Sequence, residues 1–240
     1  MEIQPALERR TFRRHLRRIA SCGWLRDGEI EIAHRSRVRH ADEAGEGSET
    51  RDRARPWLHL MVGLPGAGKT TLARRIAAEQ TILRLTPDEW MAPLFGDNDA
   101  GGRRDILEGR MVWVAHQVLG SGASVILDFG CWSPEERWAI RAVADCVGAG
   151  FGLHYLEVDE QERRARAAAR WPAEAETTFP MSEADHDRFL RSFCPPSAAE
   201  LVYEPAPEPP AGFESWLHWA SHRWPTLPRL DREVGASGTG

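Results

Sequence analysis

The chain has 240 residues, 42% hydrophobic and 28% charged, with a net charge of −5. That balance describes a globular chain with a core, excludes a fibrous or wholly disordered one, and supplies no apolar run of the ~18–20 residues that a membrane helix needs. Of its 31 basic residues only one, Lys69, is a lysine.

The charge is unevenly spread. Residues 1–55 carry 13 Arg against 10 acidic residues, a net of +3, which leaves the remainder at −8. An acidic body disfavours broad binding to a nucleic-acid backbone, because such binding depends on clustered Lys and Arg. The opening stretch Met1–Arg10 lacks the apolar region of a secretory signal, so the expected location is cytoplasmic. Cys22, Cys131, Cys146 and Cys194 are widely spaced with no Cys-x-x-Cys pair, and read as reduced thiols rather than a disulfide framework or a zinc site.

In chain order, residues 1–55 read as an Arg-rich extension, in part disordered, with six Arg between positions 9 and 18 and a linker-like composition from Ala41 to Arg53. From Pro56 the pattern changes to short apolar runs alternating with helical stretches, the signature of βα units and a parallel sheet. A strand is expected at Trp57–Val62, a helix at Lys69–Gln80, a short strand at Thr81–Leu85 and a longer helix at Arg103–Leu119. Ser124–Leu127 reads as a third strand, followed by Ser133, Pro134 and Glu136 as N-cap, N1 proline and capping-box glutamate of a helix reaching about Cys146. A fourth strand is expected at Leu153–Val158, then helices at Glu160–Trp171 and from a Ser182 cap to Phe193, and a last strand at Leu201–Tyr203. The body thus spans 56–204, with a lid at about 160–193. Residues 205–240 form a Pro- and Trp-rich tail whose Trp216, Trp219 and Trp224 are expected to pack back on the body. His218 and His222, four apart without a third ligand nearby, read as a solvated face.

Gly63-Leu64-Pro65-Gly66-Ala67-Gly68-Lys69-Thr70 fits the pattern G-x-x-x-x-G-K-[ST] between an apolar strand and a helix, the context a phosphate-binding P-loop requires. Glycines let the backbone turn its N–H groups towards a polyphosphate, and the following helix N-terminus adds a favourable dipole. Lys69 supplies a compact charge for the β- and γ-phosphates, where a planar guanidinium fork would fit poorly, and the Thr70 hydroxyl suits Mg²⁺. With Thr71, residues 63–71 are the expected ATP cradle.

Two carboxylates stand where strands end beside this loop. Asp88, in Thr86-Pro87-Asp88-Glu89-Trp90, is the expected base for a substrate hydroxyl, because ligands of such sheets sit beyond the carboxyl ends of the strands. The same residues also suit the start of a helix, with Thr86 as its cap. Asp128 closes the apolar run Val125-Ile126-Leu127 and has the form of a Walker B acid holding the Mg²⁺ shell, with Thr70 the other expected metal residue. Phe129, Gly130, Cys131 and Trp132 follow on the same rim, and with Trp90, Met91 and Trp113 they suggest an aromatic acceptor pocket. Arg163, Arg166 and Arg170 share one helix face; Arg166 and Arg170 are the expected lid arginines that stabilise charge on the transferred phosphoryl group.

These residues resemble the P-loop kinases that include chloramphenicol phosphotransferase, zeta toxins and the kinase domain of polynucleotide kinases. The likeness covers about Pro56 to Tyr203 and rests on the 63–71 loop, on an Asp nineteen residues after the lysine, on Leu127-Asp128-Phe129-Gly130 and on the Arg-rich lid. Phe193-Cys194-Pro195-Pro196 also looks like a segment of small bacterial ATP-binding proteins of the AAA_33 type. The resemblance implies an α/β P-loop NTPase fold, a three-layer sandwich with a mostly parallel sheet of about five strands and an Arg-bearing helical lid. It implies that Asp88 accepts the hydroxyl proton, that Lys69 and Thr70 hold nucleotide and magnesium, and that lid arginines meet phosphates. The expected activity is Mg²⁺- and ATP-dependent transfer of a γ-phosphoryl group to a small-molecule hydroxyl. A polynucleotide 5′-hydroxyl kinase and a nucleotide-binding regulatory or toxin-type module are the alternatives.

Overall fold

The computed structural model describes residues 55–174 and 178–233. The expectations for the Arg-rich extension, the linker from Ala41 to Arg53 and the last residues of the tail, 234–240, lie outside these residues.

Four strands, β1 (Trp57–Val62), β2 (Leu83–Leu85), β3 (Val125–Gly130) and β4 (Gly150–Tyr155), form one parallel sheet in the order β2-β3-β1-β4. Alternation along the strands decides what each face holds. Leu58, Leu60 and Val62 of β1 and Val125 and Leu127 of β3 point into the larger core, completed by Met111, Val112 and Ala115 of α3 (Arg103–Gly120) and Ala139, Ile140 and Val143 of α4 (Pro134–Asp145). Met61 and Ile126 point the other way, against Leu72, Ala73 and Ile76 of α1 (Lys69–Gln80). Helices on both faces give the expected three-layer α/β sandwich. By the same alternation Asp128 shares the face of Ile126, so its carboxylate is delivered to the first turn of α1.

Three corrections concern the sheet. Among the described residues it has four strands, not five, because Leu201–Tyr203 is not a strand: α7 (Ala198–Leu201) ends there. The reason is a local cap reinforced by a non-local contact. Glu200 accepts from the Ser197 backbone N–H at 2.9 Å in a capping box, and from the Arg137 guanidinium at 2.6 and 3.0 Å. The partner that holds Glu200 lies 63 residues away, beyond the reach of local pattern. The fourth strand also sits about three residues earlier than expected, at Gly150–Tyr155, because Gly150 and Gly152 leave room for Trp57 and His59 of β1 across the pairing. β2 is likewise shorter than the expected strand, and α5 (Glu160–Ala173) runs through Pro172 into the expected loop.

The remaining helices are α2 (Asp88–Phe95), α6 (Glu183–Ser192), α8 (Trp216–Arg223) and α9 (Leu230–Glu233). The expected caps at Ser133 and Ser182 are both present as capping boxes. Thr86 is not the cap of α2; it is buried, and the helix opens after Pro87 with no side-chain cap. Trp216 and Trp219 pack partly buried on the core, and Trp224 is 1% exposed within it.

Arg137 is 1% exposed and also donates to the carbonyls of Cys131 at 3.2 Å and Cys194 at 2.9 Å, so it ties α4, α7 and the rim of the cleft together. Removing one partner leaves a buried charge alone, so Arg137→Met is expected to lose about 3–5 kcal/mol of stability in urea unfolding. A loss below about 1 kcal/mol would contradict this role for the pair.

Candidate active site

The loop between β1 and α1 is set by its glycines and by the neighbour behind it. Gly63, Gly66 and Gly68 have φ of 146°, 85° and 97°. Gly66 is the most constrained: a Cβ there would lie 2.3 Å from the Arg163 carbonyl oxygen in the first turn of α5. Gly68 is the N-cap of α1 and offers no side-chain cap, so the helix opens with N–H groups that a phosphate can satisfy. The Lys69 ammonium donates to the Leu64 carbonyl at 3.1 Å, which folds the side chain back along the loop.

One cleft of about 910 Å³ lies over this loop. Its lining gathers Pro65, Gly66, Gly68, Lys69, Thr70 and Thr71 with Asp88, Asp128, Arg166 and Arg170. Gly63, Leu64 and Ala67 do not line it; Leu64 and Ala67 are buried and shape the loop from beneath. Phe129, Gly130, Cys131 and Trp132 form part of the wall as expected. Trp90, Met91 and Trp113 do not. Met91 is fully buried, Trp90 is half-exposed on α2, and Trp113 packs partly buried against the main core.

The electrostatics follow from burial and from which charges meet. Burial pushes the Lys69 ammonium below the ordinary lysine range, opposed by the carboxylates of Asp128 and Asp88. Burial pushes Asp128 up, opposed by Lys69, by a hydrogen bond from Thr70 and by Arg84, whose guanidinium donates to Asp128 at 3.3 Å. A carboxylate that burial disfavours, bonded to the hydroxyl that follows the P-loop lysine, is a hard-oxygen donor set suited to a small divalent cation.

Asp88 opens α2 and stays about half-exposed, with Oδ1 accepting from Arg104 at 2.9 Å. Arg104 also donates to Glu108 at 2.9 Å, and Glu108 accepts from the Trp224 indole at 3.2 Å. This line crosses α2, α3 and the tail, and the sequence reading missed it. The Arg104/Glu108 spacing of four was its one local signal. Burial raises the Glu108 carboxyl, opposed by Arg104. Next to it, Arg223 pairs with Asp105 at 2.7 Å and with Glu136 at 2.8 Å, so the tail walls the cleft at this end.

Arg166 and Arg170 rest on glutamates of α5 and of its C-cap. Arg166 pairs with Glu162 at 2.7 Å and Arg170 with Glu174 at 2.8 Å, both i,i+4 and part-exposed. Such pairs contribute only about 0–1 kcal/mol. Arg166 hangs beside the loop, its guanidinium 4.0 Å from where a Gly68 Cβ would stand. Arg163 departs from the expected stripe: it is 2% exposed and outside the cleft lining. Among the described residues no group of three or more His, Cys, Asp and Glu is arranged to hold a metal, and no helix is long and apolar enough to cross a membrane.

A parallel sheet with a glycine loop feeding a helix N-terminus, and an acid on the adjacent strand, defines a P-loop nucleotide-binding fold. The chain belongs to the AAA_33 family, described as an AAA domain, whose model matches residues 58–196. No curated protein matches it. Among solved structures, the Pnkp1/Rnl/Hen1 RNA repair complex aligns with a TM-score of 0.50 at 18% identity, over 61% of this chain and 46% of that one. The chain thus spans less than half of that relative's length. Kti12 of Chaetomium thermophilum with ADP-AlF3 aligns at 0.47 and 15%, over 76% of this chain and 100% of that one. A gluconokinase from Sinorhizobium meliloti 1021 aligns at 0.41 and 14%, over 79% and 100%.

Gly66→Ala combines a disfavoured φ with a backbone clash, and is expected to lose about 1–3 kcal/mol of stability together with nucleotide affinity, read by denaturation with and without ATP. A variant as stable as the parent would contradict this loop geometry.

Proposed function

We propose that the protein is an ATP- and Mg²⁺-dependent kinase that transfers the γ-phosphoryl group to a hydroxyl of a small molecule such as an antibiotic, nucleoside or sugar-like acceptor. The observation that supports it best is the meeting of Lys69, Thr70, Asp88, Asp128, Arg166 and Arg170 in one cleft around the P-loop.

The residues divide the work. Backbone N–H groups of Gly66 and of residues 68–71 at the α1 N-terminus receive the triphosphate, the Ala67 N–H being taken by the Leu64 carbonyl at 3.2 Å, and Lys69 sets its charge against the β- and γ-phosphates. Thr70 and Asp128 would hold magnesium, which when bound neutralises phosphate charge. Asp88 sits across the cleft with Oδ1 held by Arg104, leaving Oδ2 to orient the acceptor hydroxyl and take its proton. The acceptor oxygen then bonds to the γ-phosphorus as the bond to the bridging oxygen breaks, and ADP leaves. Arg166 and Arg170 move from their glutamates to the equatorial oxygens and help exclude water.

The acceptor end supports a compact substrate. Phe129, Trp132, Phe189 and Trp224 give it apolar walls, while Asp88, Arg104 and Glu108 supply polar groups at one side. A cleft of about 910 Å³ suits a nucleotide with a small partner better than a long strand.

The test is incubation with ATP and Mg²⁺ against a panel of hydroxylated antibiotics, nucleosides, sugars and a 5′-hydroxyl oligonucleotide, read by mass spectrometry for one added phosphate. A small-molecule product is expected, and labelling of the oligonucleotide alone would overturn the acceptor class. With that acceptor, Asp88→Asn is expected to keep ATP affinity and lose about 10²–10⁴-fold in turnover. Transfer at the parental rate would remove Asp88 as the base.

A further inference from the structure

Arg163 meets the P-loop with both its backbone and its side chain. Its carbonyl oxygen packs so closely on Gly66 that no Cβ fits between them. Its guanidinium reaches back under the loop and donates to the Pro65 carbonyl at 3.0 Å and to His186 Nδ1 of α6 at 3.1 Å. The residue is 2% exposed, and the second terminal nitrogen, Nη2, is buried with no hydrogen-bond partner among the described residues.

Two consequences follow from elementary geometry and charge. The Pro65 carbonyl and the Gly66 N–H belong to one trans peptide, so they point in opposite directions. A donor that holds the carbonyl outward therefore aims the Gly66 N–H into the loop, where the phosphates go. The second consequence is electrostatic. Arg163 makes no ion pair among the described residues, and the carboxylates that act on it from a distance, Glu160 and Glu183, are both already bonded to Arg164. His186 meets it as a neutral acceptor and brings no negative charge. A buried cation without a counter-ion is among the most costly groups a fold can hold, and it is retained where an anion arrives to complete it.

We propose that Arg163 is a positioning residue for nucleotide binding: it presets the Pro65–Gly66 peptide and backs the P-loop with an uncompensated charge that the bound triphosphate neutralises. This rests on the reading of the loop as a nucleotide site. Arg163 touches the loop from behind, whereas Arg166 and Arg170 face the cleft, so its contribution is present before any lid moves. The strain it introduces belongs to the free protein and is relieved in the bound one.

That division separates it from an ordinary packing residue. Full-length parent, Arg163→Met and Arg163→Lys proteins are compared by thermal unfolding without ligand and by calorimetric titration with MgATP. In Arg163→Met the ligand-free melting temperature is expected to equal or exceed that of the parent, while the dissociation constant for MgATP rises about ten-fold or more. Arg163→Lys, which keeps the charge and one donor, is expected to recover most of that affinity. Parental affinity in the Met variant would overturn the proposal. So would a Met variant that melts earlier or does not fold, or a Lys variant no better than Met, because each assigns Arg163 a packing role only. A parent that binds no MgATP would instead overturn the nucleotide reading itself, and this role with it.

Discussion

The contact between the first turn of α5 and the loop at Pro65–Gly66 governs how the rest of the site is arranged. A loop that turns several N–H groups towards one point is under strain, and it holds its shape only when something braces the opposite side. Here the brace is the Arg163 carbonyl and guanidinium on one side and the Lys69 ammonium on the Leu64 carbonyl on the other. Because the brace is the start of α5, the loop and the arginine-bearing helix cannot be positioned independently. The parallel sheet brings them together: β4 lies beside β1, so the helix that follows β4 begins where the loop that follows β1 bends.

The cleft has two chemically different ends. Around the loop, Lys69, Arg74, Arg166 and Arg170 make a cationic surface suited to phosphates. Across from it, Asp88 is held by Arg104, Arg104 by Glu108, and Glu108 by the Trp224 indole. That second line leaves the region matched by the family model and enters the tail. The P-loop lies within the region matched by the family model, while the far wall is built partly by Arg223 and Trp224 of the tail, outside that region.

Legibility in the sequence followed the range of the interactions. The P-loop, β1, α1 and the capping boxes at Ser133 and Ser182 depend on neighbours within a few residues, and all stand where the sequence placed them. Asp128 was legible because strand alternation is local. Features that depend on distant partners were not legible. Glu200 is held by Arg137 from 63 residues away, although its capping box with Ser197 was a local signal left unread, and Arg163 leaves its surface stripe because Pro65 and His186 take it inward. The walls of the acceptor pocket were only half read, since aromatic residues such as Met91's neighbour Trp90 and core-packed Trp113 look alike in sequence whether they face solvent, core or cleft.

The single lysine among 31 basic residues focuses the account on one substitution. If a compact ammonium is needed between the Leu64 carbonyl and the β- and γ-phosphates, a guanidinium cannot replace it although the charge is kept. Titration of MgATP into the parent and into Lys69→Arg tests this most directly. Measurable binding by the parent and a loss of about ten-fold or more in the variant are expected, with the fold intact by circular dichroism. Equal affinity in the two proteins would contradict it.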